Sequence, residues 1–231
     1  MSADAQLVFD LPHRTARGRE NYLVSSSNAL AVEVVEAWET WHGHRLLLTG
    51  PARSGKTHLA LVWAEMSGAR VLSVTDLTAG VVIPSQPLVI EDLDRLSGLD
   101  AAQKAEAEEA LFHLFNRFGA DRIPLLFTGS DKPKAWHLGL PDLRSRIEAM
   151  TLAEIGQPDD MLLSSVVVKL FSDRQLRVEP KVIDYVVNRM ERSFEAAEAL
   201  VDRLDTASLR AKKRVTTTLV RTHAGWQDDE D

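Results

Sequence analysis

The eight residues Gly50-Pro51-Ala52-Arg53-Ser54-Gly55-Lys56-Thr57 constrain the fold more than any other stretch of the chain. They fit G-x-x-x-x-G-K-[ST] in full. The apolar run Arg45-Leu46-Leu47-Leu48-Thr49 precedes them, and Thr57 to Ser67 has helical spacing. Strand, glycine-rich turn and helix, in that order, form the setting in which such a loop binds phosphate. Backbone N–H groups at the helix N-terminus converge on phosphate oxygens, and the helix dipole favours the negative charge. Glycine lets the backbone come close. Lys56 is expected to neutralise β- and γ-phosphates, and the Thr57 hydroxyl to ligate Mg²⁺. The expected ligand is ADP or ATP.

Leu88-Val89-Ile90-Glu91-Asp92 supplies a second half. An apolar strand ending in acids brings carboxylates to the metal and the attacking water. Glu91 is expected to help hold Mg²⁺, and Asp92 to orient or activate the nucleophile. Thr128-Gly129-Ser130-Asp131 closes another apolar run, where Ser130 either reports on the γ-phosphate or serves the turn. In Leu143-Arg144-Ser145-Arg146 two arginines stand at i, i+2 and cannot share one helical face. Either a surface ion pair or an arginine supplied in trans to a transferred phosphoryl group fits that pattern.

The surrounding pattern alternates. Strands are expected at 45–49, 70–74, 88–90, 123–128 and 150–153. A helix from Asn28 to Trp38 is expected with Asn28 as N-cap and Leu30, Val34 and Trp38 on its apolar face. A longer helix, Ala101 to Phe118, carries Leu111, Phe112, Leu114, Phe115 and Phe118. Such alternation predicts an α/β fold with a mostly parallel sheet covered on both faces. The pattern changes at Gly156-Gln157-Pro158-Asp159-Asp160, beyond which three helical segments are expected: 161–172, 180–192 and 194–211. The expected organisation is an N-terminal peptide at 1–20, a nucleotide-binding α/β domain at 21–156, a helical lid at 157–222 and an acidic tail at 223–231.

The formal net charge of −7 argues against broad non-specific nucleic-acid binding. Arg210-Ala211-Lys212-Lys213-Arg214 is a local basic cluster, either a solvated helix end or a contact with DNA or a protein. The chain has no cysteine, and its seven histidines lack metal-ligand spacing. No stretch approaches the ~18 apolar residues of a membrane span, and a cytoplasmic location is expected. Near the start, Leu7, Phe9 and Leu11 alternate behind Gln6. Such a strip either packs on its own domain or is offered to a partner.

Taken together, these motifs resemble the AAA+ ATPases, and within them the initiator clade, the Hda/DnaA-like family. Gly55-Lys56-Thr57-His58-Leu59 resembles that family's phosphate loop, which adds His58 to the nucleotide-binding candidates. Glu91-Asp92-Leu93 stands where the family has Asp-Asp-Ile. Thr128 to Pro133 is similar to its sensor 1 stretch, and Leu143 to Arg146 to its Leu-Lys-Ser-Arg box. The chain runs only about 20 residues past Leu209, too few for the DNA-reading helix-turn-helix of an initiator. The resemblance is therefore to the regulatory members, which inactivate DnaA.

The resemblance implies the rest. Gln6-Leu7-Val8-Phe9-Asp10-Leu11 is similar to a sliding-clamp-binding motif, with Gln6, Leu7, Phe9 and Leu11 as its contacts. The clamp loaded on DNA would recruit the chain, so DNA is reached indirectly. Arg146 would then act in trans on ATP held by DnaA. The chain's own nucleotide would be mainly structural, with little intrinsic hydrolysis. A sensor 2 arginine is expected on the helix from Phe194, but Glu195 stands there, and Arg192 is taken as its substitute. A homodimer is left open. The alternative is an autonomous AAA+ ATPase of helicase-loader type.

Overall fold

The computed structural model describes residues 22–79, 82–83, 85–130 and 132–226. The clamp-like strip at Gln6, Leu7, Phe9 and Leu11 lies outside them, as do Asp131 and the acids from Asp228. The described residues form two compact units: Tyr22 with 26–156, and 23–25 with 157–226.

The first unit is an α/β layer structure. Its strands are β1 (Arg45–Thr49), β2 (Arg70–Ser73), β3 (Leu88–Glu91), β4 (Leu125–Gly129) and β5 (Leu152–Glu154). They are all parallel, in the order β2-β3-β4-β1-β5. Leu46, Leu47 and Leu48 of β1, Leu88 to Ile90 of β3 and Leu125 to Phe127 of β4 are all buried. Strands apolar on both faces belong inside a parallel sheet. Around it stand α1 (Ala29–Glu36), α2 (Lys56–Ser67), α3 (Ala101–Asp121) and α4 (Pro141–Glu148). Leu47, Leu88, Ile90, Leu125 and Phe127 share a core with Leu111, Leu114, Phe115 and Phe118 of α3. Asp100 starts α3 by accepting the N–H groups of Ala102 and Gln103.

Because the strands run the same way, their C-terminal ends share one edge. Thr49 pairs with Gly129 and with Glu154 there. The chain leaves β1 for the distant β2 and returns through β3 and β4, so the strand order reverses beside β1. Ligands of open α/β sheets bind at such a switch point.

Two expectations fail. The apolar face of α1 is not Leu30, Val34 and Trp38: Leu30 is 77% exposed, and Ala31, Val32 and Val35 are buried instead. The helix is apolar on two sides, so spacing alone did not choose between them. Asn28 sits at the N-cap without a side-chain capping bond. Among the described residues the second unit has four helices rather than three: α5 (Asp160–Asp173), α6 (Pro180–Val187), α7 (Phe194–Ala211) and α8 (Thr217–His223). The overlooked α8 is seven residues long and opens on threonines, which are weak helix formers. Tertiary packing compensates: Val220 is fully buried, and the Thr216 hydroxyl accepts the Leu219 N–H. Leu163, Val167, Phe171, Ile183, Val186, Leu200, Leu204 and Val220 form that unit's core.

Candidate nucleotide site

The loop between β1 and α2 is shaped by backbone that only particular residues allow. A Cβ at Gly50 would lie 2.4 Å from the Ile155 carbonyl oxygen. Gly55, the residue before α2, is left-handed at φ 96°, ψ 11°, a region glycine enters without steric cost. Having no side chain, Gly55 leaves the first-turn N–H groups of α2 without a side-chain cap. Lys56 is buried, and its ammonium donates to the carbonyls of Gly50 at 2.8 Å and Pro51 at 2.6 Å. Ser54 Oγ is buried with no hydrogen-bond partner. Pro51, Ala52 and Arg53 are exposed, as is His58, whose ring meets that of Tyr22 edge-on at 5.0 Å.

At the end of β3, burial pushes the Glu91 carboxyl above the usual carboxylate range; the Asp92 charge adds to this, while a hydrogen bond from Thr57 and the charge of Arg95 oppose it. Glu91 and Thr57 therefore stand side by side. Glu91 Oε1 is buried without a partner. Two orphaned oxygens, one hydroxyl and one carboxylate, beside an uncapped helix N-terminus and a buried ammonium fit a nucleotide phosphate with a hard divalent cation. Among the described residues no group of three or more His, Asp or Glu side chains could hold a metal by itself.

Asp92 takes a left-handed backbone at φ 59°, ψ 49°. Its neighbours fix it there: its N–H donates to Thr128 Oγ1 at 3.1 Å, and its carboxylate pairs with Arg95 Nε at 3.0 Å. Non-glycine residues in this region are a recurrent feature of functional sites. The Ser130 N–H donates to Asp94 Oδ1 at 2.7 Å, and Trp136 Nε1 donates to the Ser130 carbonyl at 2.7 Å. The ends of β3 and β4 are thus joined, and Glu91, Asp92, Thr128 and Ser130 come together.

Arg146 sits elsewhere, on the exposed side of α4. Its guanidinium lies 5.4 Å from the Phe112 ring centre and 5.9 Å from that of Phe115. Arg45 covers the same Phe115 ring at 3.7 Å and donates to the Phe115 carbonyl. Burial, and after it the charge of Arg146, lower the proton affinity of Arg45. Arg192 belongs to the second unit, where its Nη2 pairs with Asp160 at 2.7 Å. Glu195 lies in the first turn of α7, a position that suits an acid near the positive end of the helix dipole.

Three residues around these groups escaped sequence reading: Arg45, Asp94 and Glu108. Glu108 had a signal. It stands three residues before Leu111 and seven before Phe115, on the buried stripe of α3. A charge on an apolar stripe asks for partners. Arg45 and Asp94 gave none, since each flanks an apolar run like any polar boundary residue.

Comparison with known proteins agrees with this geometry. Residues 168–223 match the family model described as Hda, lid domain. An uncharacterized protein of Haemophilus influenzae is 28% identical over 187 residues, covering 74% of this chain and 78% of the relative. Domain III of the Thermotoga maritima replication initiation protein DnaA superposes with a TM-score of 0.73 at 18% identity, over 88% of this chain and 93% of that one. AMPPCP-bound DnaA from Aquifex aeolicus gives 0.69 at 21% identity, over 83% of this chain and 65% of that one. The chain thus spans about two thirds of that longer initiator. Among the described residues no helix is long and apolar enough to cross a membrane. The chain thus shares the fold of DnaA domain III, and its residues 168–223 match an Hda-type lid.

Proposed function

We propose that the chain is a DnaA-related regulator of replication initiation, which binds ADP or ATP at its own phosphate loop and promotes hydrolysis of ATP held by DnaA. One observation carries the reading above others: an Hda-type lid follows a complete phosphate loop in a single chain.

Gly50 to Thr57 would hold the phosphates, with Lys56 exchanging the Gly50 and Pro51 carbonyls for phosphate oxygens. His58 would border the nucleotide. Thr57 and Glu91 would hold Mg²⁺, which neutralises phosphate charge when bound. Ser130 would face the γ-phosphate side, and Arg192 would serve the lid side. Asp92 would orient water, but its carboxylate is shared with Arg95, which favours weak intrinsic hydrolysis. Arg146 would act in trans on the ATP of DnaA. Gln6, Leu7, Phe9 and Leu11 would seat the chain on the sliding clamp, and DNA would be met through that clamp.

The test is conversion of radiolabelled DnaA-bound ATP to ADP with clamp-loaded DNA. The chain should accelerate it. No acceleration, together with turnover well above about 1 per second by the isolated chain, would favour an autonomous loader-type ATPase.

A further inference from the structure

The nucleotide reading leaves one charged surface unused. From Thr206 to Gln227 the sequence holds Arg210, Lys212, Lys213, Arg214 and Arg221 and no acid; acids resume at Asp228, in a chain of net charge −7. The fold of the second unit gathers this run. Helix α7 ends at Ala211, and Lys212 follows in the left-handed region at φ 51°. The Ser208 hydroxyl holds the turn by donating to the Lys213 carbonyl at 2.6 Å. Beside it lies an open cavity of about 620 Å³, lined by Arg203, Thr206, Arg210 and His223 among others. Arg203 and Arg210 are seven residues apart, two helical turns, and share one face.

The one acid lining the cavity, Asp202, accepts Nε of Arg174, the residue that follows α5, at 3.0 Å. Glu179 pairs with Lys181. Arg203, Arg210, Lys212 and Lys213 are exposed and make no ion pair with a described residue.

We propose that this face of the lid binds the phosphodiester backbone of duplex DNA. Its cations extend from the cavity around the end of α7 rather than converging on one point, which suits a row of phosphates better than a free anion. The cavity lining includes no Phe, Tyr or Trp. A single strand would want aromatic platforms for its bases, whereas a duplex offers its phosphates outward. Thr206 and His223 add hydrogen-bonding groups that carry no base code. The proposal goes beyond the function above and uses neither DnaA, the clamp nor Arg146, so the two can fail separately.

The experiment is fluorescence anisotropy of a labelled duplex with the full chain, between about 50 and about 200 mM salt. Binding should weaken with salt along a log–log slope of about −0.9 per phosphate neutralised. The double substitution Arg203→Ala/Arg210→Ala should weaken binding at least about tenfold and reduce the slope by about 2. Lys212→Ala/Lys213→Ala should act in the same direction, and Arg210→Lys should keep the slope. An unchanged thermal midpoint in each variant excludes unfolding as the cause. No binding at low salt, or wild-type binding by both double variants, would overturn the proposal. So would displacement of the duplex by inorganic phosphate at constant ionic strength, which would assign the cavity to a small anion.

Discussion

Leu140 donates its backbone N–H to Glu108 Oε2 at 2.7 Å, and Gly139 donates to Glu108 Oε1 at 2.9 Å. One buried carboxylate on α3 therefore anchors the two residues that lead into α4, the helix that presents Arg146. Lys104, 4.0 Å away, answers the charge from one turn earlier. The same helix α3 offers Phe112 and Phe115 to the Arg146 guanidinium. Both ends of α4 are thus referred to α3.

Glu108→Ala should lower stability by about 1–2 kcal/mol, because two part-buried N–H groups lose a charged acceptor. Glu108→Gln keeps one acceptor oxygen and should cost less. Both should slow the DnaA-directed reaction more than they change nucleotide affinity. Thermal unfolding, nucleotide calorimetry and the ADP assay separate these effects. Equal midpoints for wild type and Glu108→Ala would remove the anchor from the account.

Lys56→Ala should weaken ADP and ATP binding, since a charge-assisted phosphate contact is worth roughly 1.5–3 kcal/mol. Of its two carbonyl partners, that of Pro51 is exposed and is resolvated once the ammonium is gone, while that of Gly50 is buried and loses its donor. Some stability should therefore be lost along with nucleotide affinity. Calorimetry with each nucleotide measures the loss, and unchanged affinity would take the phosphates elsewhere.

Glu91 gives a pH dependence. Burial raises its pKa in the folded chain. A carboxyl raised on folding contributes stability that is complete below its unfolded value and is lost as pH rises through the folded one. Glu91→Gln removes that loss, so without nucleotide the variant should gain on wild type as pH rises above the usual carboxylate range. With nucleotide the order should reverse, because added Mg²⁺ should stabilise wild type and not the variant. Paired thermal scans with and without Mg²⁺ read both effects. A variant less stable than wild type at the upper pH without Mg²⁺ would mean that the Glu91 charge is already compensated.

Much of this was legible in the sequence because it is local. Gly50 to Thr57 fix strand, loop and helix through backbone chemistry that few residues permit. The strand runs at 45–49 and 88–90 are apolar on both faces, which leaves little choice but the middle of a parallel sheet. The face of α1 was not legible, since Leu30 and Ala31 are both apolar and only the packed sheet distinguishes them. The arrangement around Arg146 was hidden for another reason. Arg45 and Phe115 are brought together by the packing of α3, and no spacing along the chain announces that contact. Helix α8 was hidden by its own threonines, because its stability comes from Val220 in the core.

The two ends of the proposed function should separate by mutation. Changing Gln6, Leu7 and Phe9 to alanine should abolish clamp binding, since apolar anchors in a small pocket carry most of such an interaction. Nucleotide affinity and unfolding should not change. Arg146→Ala should do the reverse: the clamp is still bound, but ATP on DnaA survives. An arginine finger contributes about 10³–10⁵ in rate, so the loss should be plain. Removing the guanidinium also relieves its repulsion of Arg45, so Arg146→Ala should be no less stable than wild type by more than the loss of its ring contacts, about 0.5–1 kcal/mol. A large drop in midpoint would mean that Arg146 is structural. Stimulation of hydrolysis at the wild-type rate by a folded Arg146→Ala protein would remove it from the reaction, and the same result for the strip variant would make Leu7 and Phe9 no more than packing residues.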